Sequence, residues 1–101
     1  MNVEFSKAFV KASKRLSGKM LYSLRRTIVE VKAAKGIQDI SDCKKLVGYR
    51  NIYRIRLGDY RALFTLEIEF SGDTIFFQYL APRGEAYGKK MKTELKRIDK
   101  E

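Results

Sequence analysis

The amino-acid sequence predicts an α+β fold: an N-terminal strand and a helical hairpin packed on an antiparallel sheet, followed by a C-terminal helix. Three observations carry that expectation. Apolar residues recur every three to four positions through the first third of the chain, at alternate positions from Asn51 onward, and at helical spacing again near the end. Turn signals at Ser17-Gly18, Gly58-Asp59 and Ser71-Gly72-Asp73 fall where the period changes or restarts. A length of 101 residues, 45% of them hydrophobic, supplies one core and is too short for two, so a single domain over residues 1–101 is expected.

Element by element, Val3 to Phe5 reads as a short first strand, and Ser6 as a helix N-cap. Phe5, Phe9, Ala12 and Leu16 then share one helical face. After the Ser17-Gly18 break, Leu21, Leu24, Ile28 and Val31 form the stripe of a second helix that Gly36 is placed to end. So short a break implies an antiparallel hairpin, with Lys7, Lys11, Lys14, Arg15, Lys19, Arg25, Arg26 and Lys32 on its wet faces. From Asn51 to Leu57, Tyr53, Ile55 and Leu57 share one strand face while Ile52, Arg54 and Arg56 share the other. Gly58-Asp59 supplies a two-residue hairpin turn. The next strand, Tyr60 to about Phe70, is expected to bury Tyr60, Ala62, Phe64, Leu66 and Ile68 and to show Arg61, Leu63, Thr65 and Glu67 on its opposite face. Thr74 to Leu80 is nearly continuous apolar chain and should be central in the sheet. Ala81 to Gly84 reads as a loop, and Glu85 to Ile98 as a last helix with Tyr87, Met91, Leu95 and Ile98 along one side.

Charge narrows the function. Twenty-two Lys and Arg against twelve Asp and Glu give a formal charge of +10, which favours a polyanionic partner or an acidic protein that neutralises it. The excess is spread along folded chain: residues 1–35 carry nine basic and two acidic side chains, and 44–61 carry six and one. With no histidine, His-based acid–base pairs, His metal sites and Ser-His or Cys-His nucleophiles are excluded. The lone Cys43 can neither close an intrachain disulfide nor assemble a metal site. No apolar run approaches the about 18 residues of a membrane span, and the first residues lack a secretory pattern. A cytoplasmic protein without metal, cofactor or membrane is expected.

The Gly58-Asp59 turn makes one unusual juxtaposition. A two-residue loop pairs Leu57 with Tyr60, which sets Arg56 opposite Arg61 and Arg54 opposite Leu63 on the same face. Directly opposed like charges cost up to about 1 kcal/mol, and Glu67 lies too far along the strand to pair with either. Either the long side chains splay into water, or they converge as an anion site, since guanidinium groups grip phosphate oxygens in planar pairs.

Lys45-Leu46-Val47-Gly48 followed by Tyr53-Arg54-Ile55-Arg56-Leu57-Gly58-Asp59-Tyr60-Arg61 resembles the central signature of the RelE/ParE toxin superfamily. Ala81-Pro82-Arg83-Gly84-Glu85-Ala86-Tyr87 resembles the end of the last strand in RelE-type members, where a Tyr follows an Arg by four residues. The order of elements over all 101 residues is compatible with that family. The resemblance implies the toxin of a type II toxin–antitoxin pair. Such a toxin is a metal-free endoribonuclease that enters the ribosomal A site against 16S rRNA and cuts mRNA there. The 2′-hydroxyl attacks the adjacent phosphate and leaves a 2′,3′-cyclic phosphate and a 5′-hydroxyl. An acidic cognate antitoxin is implied as partner, covering the basic face or displacing the last helix.

Carried over by residue, Arg61 and Arg83 match the family's phosphate-binding arginines, and Tyr87 matches the aromatic that orients or stacks on substrate. Arg54 and Arg56 stand where the family has basic strand residues. The candidate set is Arg61, Arg83, Tyr87 and Arg56 for catalysis, with Arg54, Lys45, Lys44, Arg50, Lys89 and Lys90 for binding RNA and phosphate. Pro82 replaces a His that often precedes the loop arginine, and Arg54 and Arg56 replace lysines found in some members. Guanidinium stays protonated, so the proton of the 2′-hydroxyl must go to Tyr87, Lys45 or a ribosomal or RNA group. Otherwise the rate rests on alignment and charge stabilisation. A ParE-like gyrase inhibitor and a non-catalytic RNA-binding member are the competing readings.

Overall fold

In the computed structural model, which describes residues 1–100, the chain forms five strands in one sheet and four helices. The order is β1 (Asn2–Phe5), α1 (Lys7–Ser13), α2 (Gly18–Ala33), a 3-10 turn (Ile37–Asp39), β2 (Cys43–Lys45), β3 (Tyr53–Leu57), β4 (Tyr60–Glu67), β5 (Thr74–Pro82), α3 (Arg83–Ala86) and α4 (Lys89–Asp99). In space the strands run β1-β5-β4-β3-β2. Ser6 caps α1 as its sequence position implies, its hydroxyl accepting the Phe9 N–H at 3.0 Å.

The α+β architecture is as expected, with β5 inside the sheet. The sheet is mixed, however, because β1 lies parallel to β5 while the other pairs are antiparallel. The helices carry the chain from β1 to the far edge of the sheet, and the antiparallel run β2-β3-β4-β5 returns it to lie beside β1 in parallel register. β2 was not legible. Its three residues show no alternation of their own and join the sheet through the register Cys43–Ile55, Lys44–Arg54 and Lys45–Tyr53.

One sheet face packs on the hairpin. Ile55, Leu57, Ala62, Phe64, Ile75, Phe77 and Leu80 meet Phe9, Leu16, Leu24 and Val31 in the main core. Phe9 lies 5.0 Å from Phe77, ring centre to ring centre, and Tyr53 stacks on Phe64 at 5.1 Å. Opposite Leu63 and Phe64 the β5 register slips by one residue, which leaves Gln78 outside the pairing. That bulge turns Phe77 and Leu80 onto the same face and explains why β5 reads as continuous apolar chain rather than as an alternation.

The second sheet face is not open. Ile52, Leu63, Ala81, Ala86 and Leu95 form a smaller core under α3 and α4, so Leu63, Thr65 and even Arg61 are buried where exposure was expected. Ile68 departs in the other direction: β4 ends at Glu67, the partner of Thr74, and Ile68 beyond it is 81% exposed. The last helix begins later than its periodicity suggests. Pro82 still belongs to β5, Arg83 opens the one-turn α3 instead of lying in a loop, and Tyr87-Gly88 interrupts the helical path before α4. Three contacts hold α4 down. Asp99 accepts the backbone N–H groups of Arg50 (2.7 Å) and Asn51 (2.8 Å), Lys96 Nζ donates to the Gly48 carbonyl (2.8 Å), and the Tyr79 hydroxyl donates to Glu94 (3.1 Å). No helix among the described residues is long and apolar enough to cross a membrane.

Candidate functional site

The β3–β4 turn organises the site. Gly58 has φ +59°, a conformation that costs other L-residues energy, and the turn it permits points backbone carbonyls inward. Arg61 Nη1 donates to the Gly58 carbonyl at 2.7 Å and to the Tyr60 carbonyl at 2.9 Å, while Nε donates to the Tyr87 hydroxyl oxygen at 3.3 Å. The Arg83 N–H donates to the Asp59 carbonyl at 2.7 Å, tying the start of α3 to the same turn. Three consecutive carbonyls therefore fix the guanidinium of one candidate residue and the backbone of another.

The cross-strand register is the expected one: Arg56 faces Arg61 and Arg54 faces Leu63. The side chains do not simply splay. Arg61 is 6% exposed, yet no buried side-chain polar atom among the described residues lacks a partner. Its Nη2, which makes no hydrogen bond there, must therefore reach solvent. Arg56 is exposed and lines a groove at the sheet edge. Arg54 Nη1 donates to the Asp42 carbonyl at 2.6 Å. The pairing of Lys44 with Arg54 adds a second like-charged cross-strand pair, which could not be seen without β2.

Tyr87 is not a core member of α4. It follows α3, is 52% exposed, and offers its ring to solvent while its hydroxyl meets Arg61. Arg83 is exposed one helical turn before it. Lys45 is exposed on β2. Arg50 sits in the β2–β3 loop, where its backbone binds Asp99, and Lys89 and Lys90 open α4 beside a groove of about 550 Å³ that also touches Gly84 and Glu85. Arg61 and Tyr87 thus touch directly, Arg56 and Arg83 flank them through the turn, and Arg54 and Lys44 extend the basic strip along the sheet. The carbonyl acceptors at Gly58, Asp59 and Tyr60 were not legible, because any residue supplies a carbonyl. The one ion pair among the described residues, Arg97 with Glu94, lies on α4, so the site cations keep their charge for a ligand.

Cys43 lies beside this strip and is chemically quiet. Burial pushes its thiol up to about 11, against the neighbouring Arg54 charge, which pulls it down. Alkylation by iodoacetamide near neutral pH is therefore expected about a hundredfold slower than for an unhindered cysteine, because only the thiolate reacts. A rate matching that of a free thiol peptide would contradict this burial.

No protein-family model matches the chain. The RelE3 toxin of Methanocaldococcus jannaschii is 39% identical over 88 residues, which span 86% of this chain and 96% of that protein. A chain of the RelB–RelE antitoxin–toxin complex from Methanococcus jannaschii superposes with a TM-score of 0.66 at 32% identity, covering 85% of this chain and 96% of that one. The archaeal RelE–RelB complex from Pyrococcus horikoshii OT3 gives 0.65 at 28% identity, covering 84% and 97%. An E. coli RelE mutant in the free state shares the fold at 18% identity, with a TM-score of 0.66 over 96% of this chain and 95% of that one. The matched sequence and the shared fold place the chain among the toxins of toxin–antitoxin pairs. Within that class, the chain belongs to the RelE family.

Proposed function

We propose that this toxin is a ribosome-dependent mRNA endonuclease that blocks translation by metal-free attack of a 2′-hydroxyl on the adjacent phosphate. The observation that carries the reading is the Arg61–Tyr87 hydrogen bond on the basic sheet face, with Arg56 opposite Arg61 and Arg83 anchored to the same turn. In this reading Arg83 and the free Nη2 edge of Arg61 bind the non-bridging oxygens and stabilise the dianionic transition state. Because Arg61 donates to the Tyr87 oxygen, the Tyr87 hydroxyl proton is left for another acceptor. It can be donated to a phosphate oxygen or to the departing 5′-oxygen, and the exposed ring can stack on a base. Arg56, Arg54, Lys44 and Lys45 carry the adjoining backbone, while Arg50, Lys89 and Lys90 make peripheral contacts with the message or 16S rRNA.

The proton of the 2′-hydroxyl goes to a ribosomal or RNA group, or to Lys45 in its neutral amine form, and the remaining acceleration comes from holding oxygen and phosphorus in line. The partner is an acidic antitoxin drawn by the +10 charge, in keeping with relatives solved as RelB–RelE complexes. The cytoplasm is where all three would meet.

Mapping mRNA 5′ ends after induction, and again with purified ribosomes, tests this. Cuts confined to translated message, with cyclic-phosphate ends, are expected. DNA damage without cuts would favour a gyrase inhibitor, and ribosome binding without cuts would favour a non-catalytic member.

A further inference from the structure

β2 covers β3 only from Tyr53 to Ile55. Beyond it the Arg56 N–H donates to the Asp42 carbonyl at 3.2 Å, and the strand edge then opens on a groove of about 360 Å³ against α2. Ser23, Arg26, Thr27, Asp42 and Arg56 line it. Arg56 lines this groove at the sheet edge and is exposed. Arg26 lies over the Tyr22 ring at 5.8 Å, which limits its freedom without neutralising it. Neither Arg26 nor Arg56 has a carboxylate at ion-pair distance among the described residues, and the hydroxyls of Ser23 and Thr27 make no hydrogen bond there. Glu30, at the rim, has both oxygens occupied by Ser41, one by its N–H at 3.1 Å and the other by its hydroxyl at 2.8 Å, so it braces the wall.

We propose that this groove is an RNA subsite that takes a nucleotide adjoining the scissile phosphate, with a phosphate between Arg26 and Arg56. Ser23, Thr27 and the Asp42 carboxylate would then meet the sugar hydroxyl or base amino groups. The proposal rests on the nuclease reading above and extends it. The mixture of groups favours a nucleotide over an acidic peptide. Two guanidiniums suit a phosphate, and Asp42 accepts from the hydroxyl and amino donors that a nucleotide carries beside its phosphate. The volume is at the small end of ligand sites and suits one nucleotide. Arg56 is shared, so the strand passes from one site to the other without a gap.

Single-turnover cleavage on programmed ribosomes tests it, using Arg26→Ala and Thr27→Val with messages trimmed just beyond the nucleotide on one side of the cut or the other, so that the scissile bond stays and the next phosphate is lost. On full-length message Arg26→Ala should raise the half-saturating toxin concentration about tenfold and leave the maximal rate within twofold of wild type. Thr27→Val should shift it in the same direction by less. Trimming one side, and only that side, should make variant and wild type equal. Unchanged half-saturation overturns the subsite. So does a loss that persists on both trimmed messages, which would place Arg26 on rRNA, or a loss confined to antitoxin affinity, which would give the groove to a protein. A wild-type protein that cuts no message defeats the nuclease reading instead, and the subsite with it.

Discussion

Arg83→Ala is expected to lower cleavage on programmed ribosomes by about 10²–10³-fold, the usual cost of one transition-state donor, with no change in thermal midpoint. The Arg83 side chain is exposed and the structural contact of this residue is made by its backbone N–H, which alanine keeps. Arg61→Ala should lose as much activity and should also destabilise the fold by about 2–3 kcal/mol, because the Gly58 and Tyr60 carbonyls lose their charged donor. The two arginines look equivalent in sequence, where both match phosphate-binding positions. The structure separates them. Arg61→Lys should not rescue, since a single ammonium cannot span two carbonyls and the Tyr87 oxygen in a fixed plane. The pair of measurements is denaturation midpoint and single-turnover rate. Full activity in Arg83→Ala would remove it from the site, and an unchanged midpoint in Arg61→Ala would mean the turn carbonyls are satisfied in another way.

What was legible in the sequence follows from which interactions are local. The Gly58-Asp59 turn determines its own register, so the Arg56–Arg61 opposition could be derived from residue spacing before any coordinates. The helical hairpin was legible for the same reason, its stripe of Leu21, Leu24, Ile28 and Val31 being written into consecutive turns. β2 was not, because three residues paired across a loop carry no period. Nor was the burial of Leu63: alternation says only that Leu63 and Phe64 face opposite sides, and the cover on Leu63 comes from α4, some thirty residues later. Tyr87 illustrates the converse error. Its spacing to Met91 and Leu95 is helical, yet Gly88 breaks the path and frees the ring for the site. Lys89, Lys90 and Arg50, expected to bind RNA, lie outside the Arg61–Tyr87 contact, the lysines beside a groove at the start of α4 and Arg50 in the β2–β3 loop.

Leu95→Ala should cost about 2–5 kcal/mol, a large share of the about 5–15 kcal/mol that holds a domain of this size together. Leu95 is 1% exposed and is the fully buried contribution of α4 to the smaller core, where Met91 and Ile98 of the same helix are only partly buried. The polar ties of α4 lie at its periphery. One weakens in acid: hydrogen bonds from Arg97 and then Tyr79 hold the Glu94 carboxyl below the usual carboxylate range, and burial with Glu94 beside it pushes the Tyr79 hydroxyl up. A carboxyl depressed in this way contributes above its unfolded range and loses that contribution as pH falls through the folded value. The loss in Leu95→Ala is therefore expected to be local first, with amide exchange accelerating across residues 92–98 before it does across β4 and β5. The main core, on the other face of the sheet, keeps Arg61 seated in its turn. Cleavage should then fall far less than in Arg83→Ala while the midpoint falls far more. Exchange that speeds up uniformly over the chain would show instead that α4 and the sheet unfold as one unit.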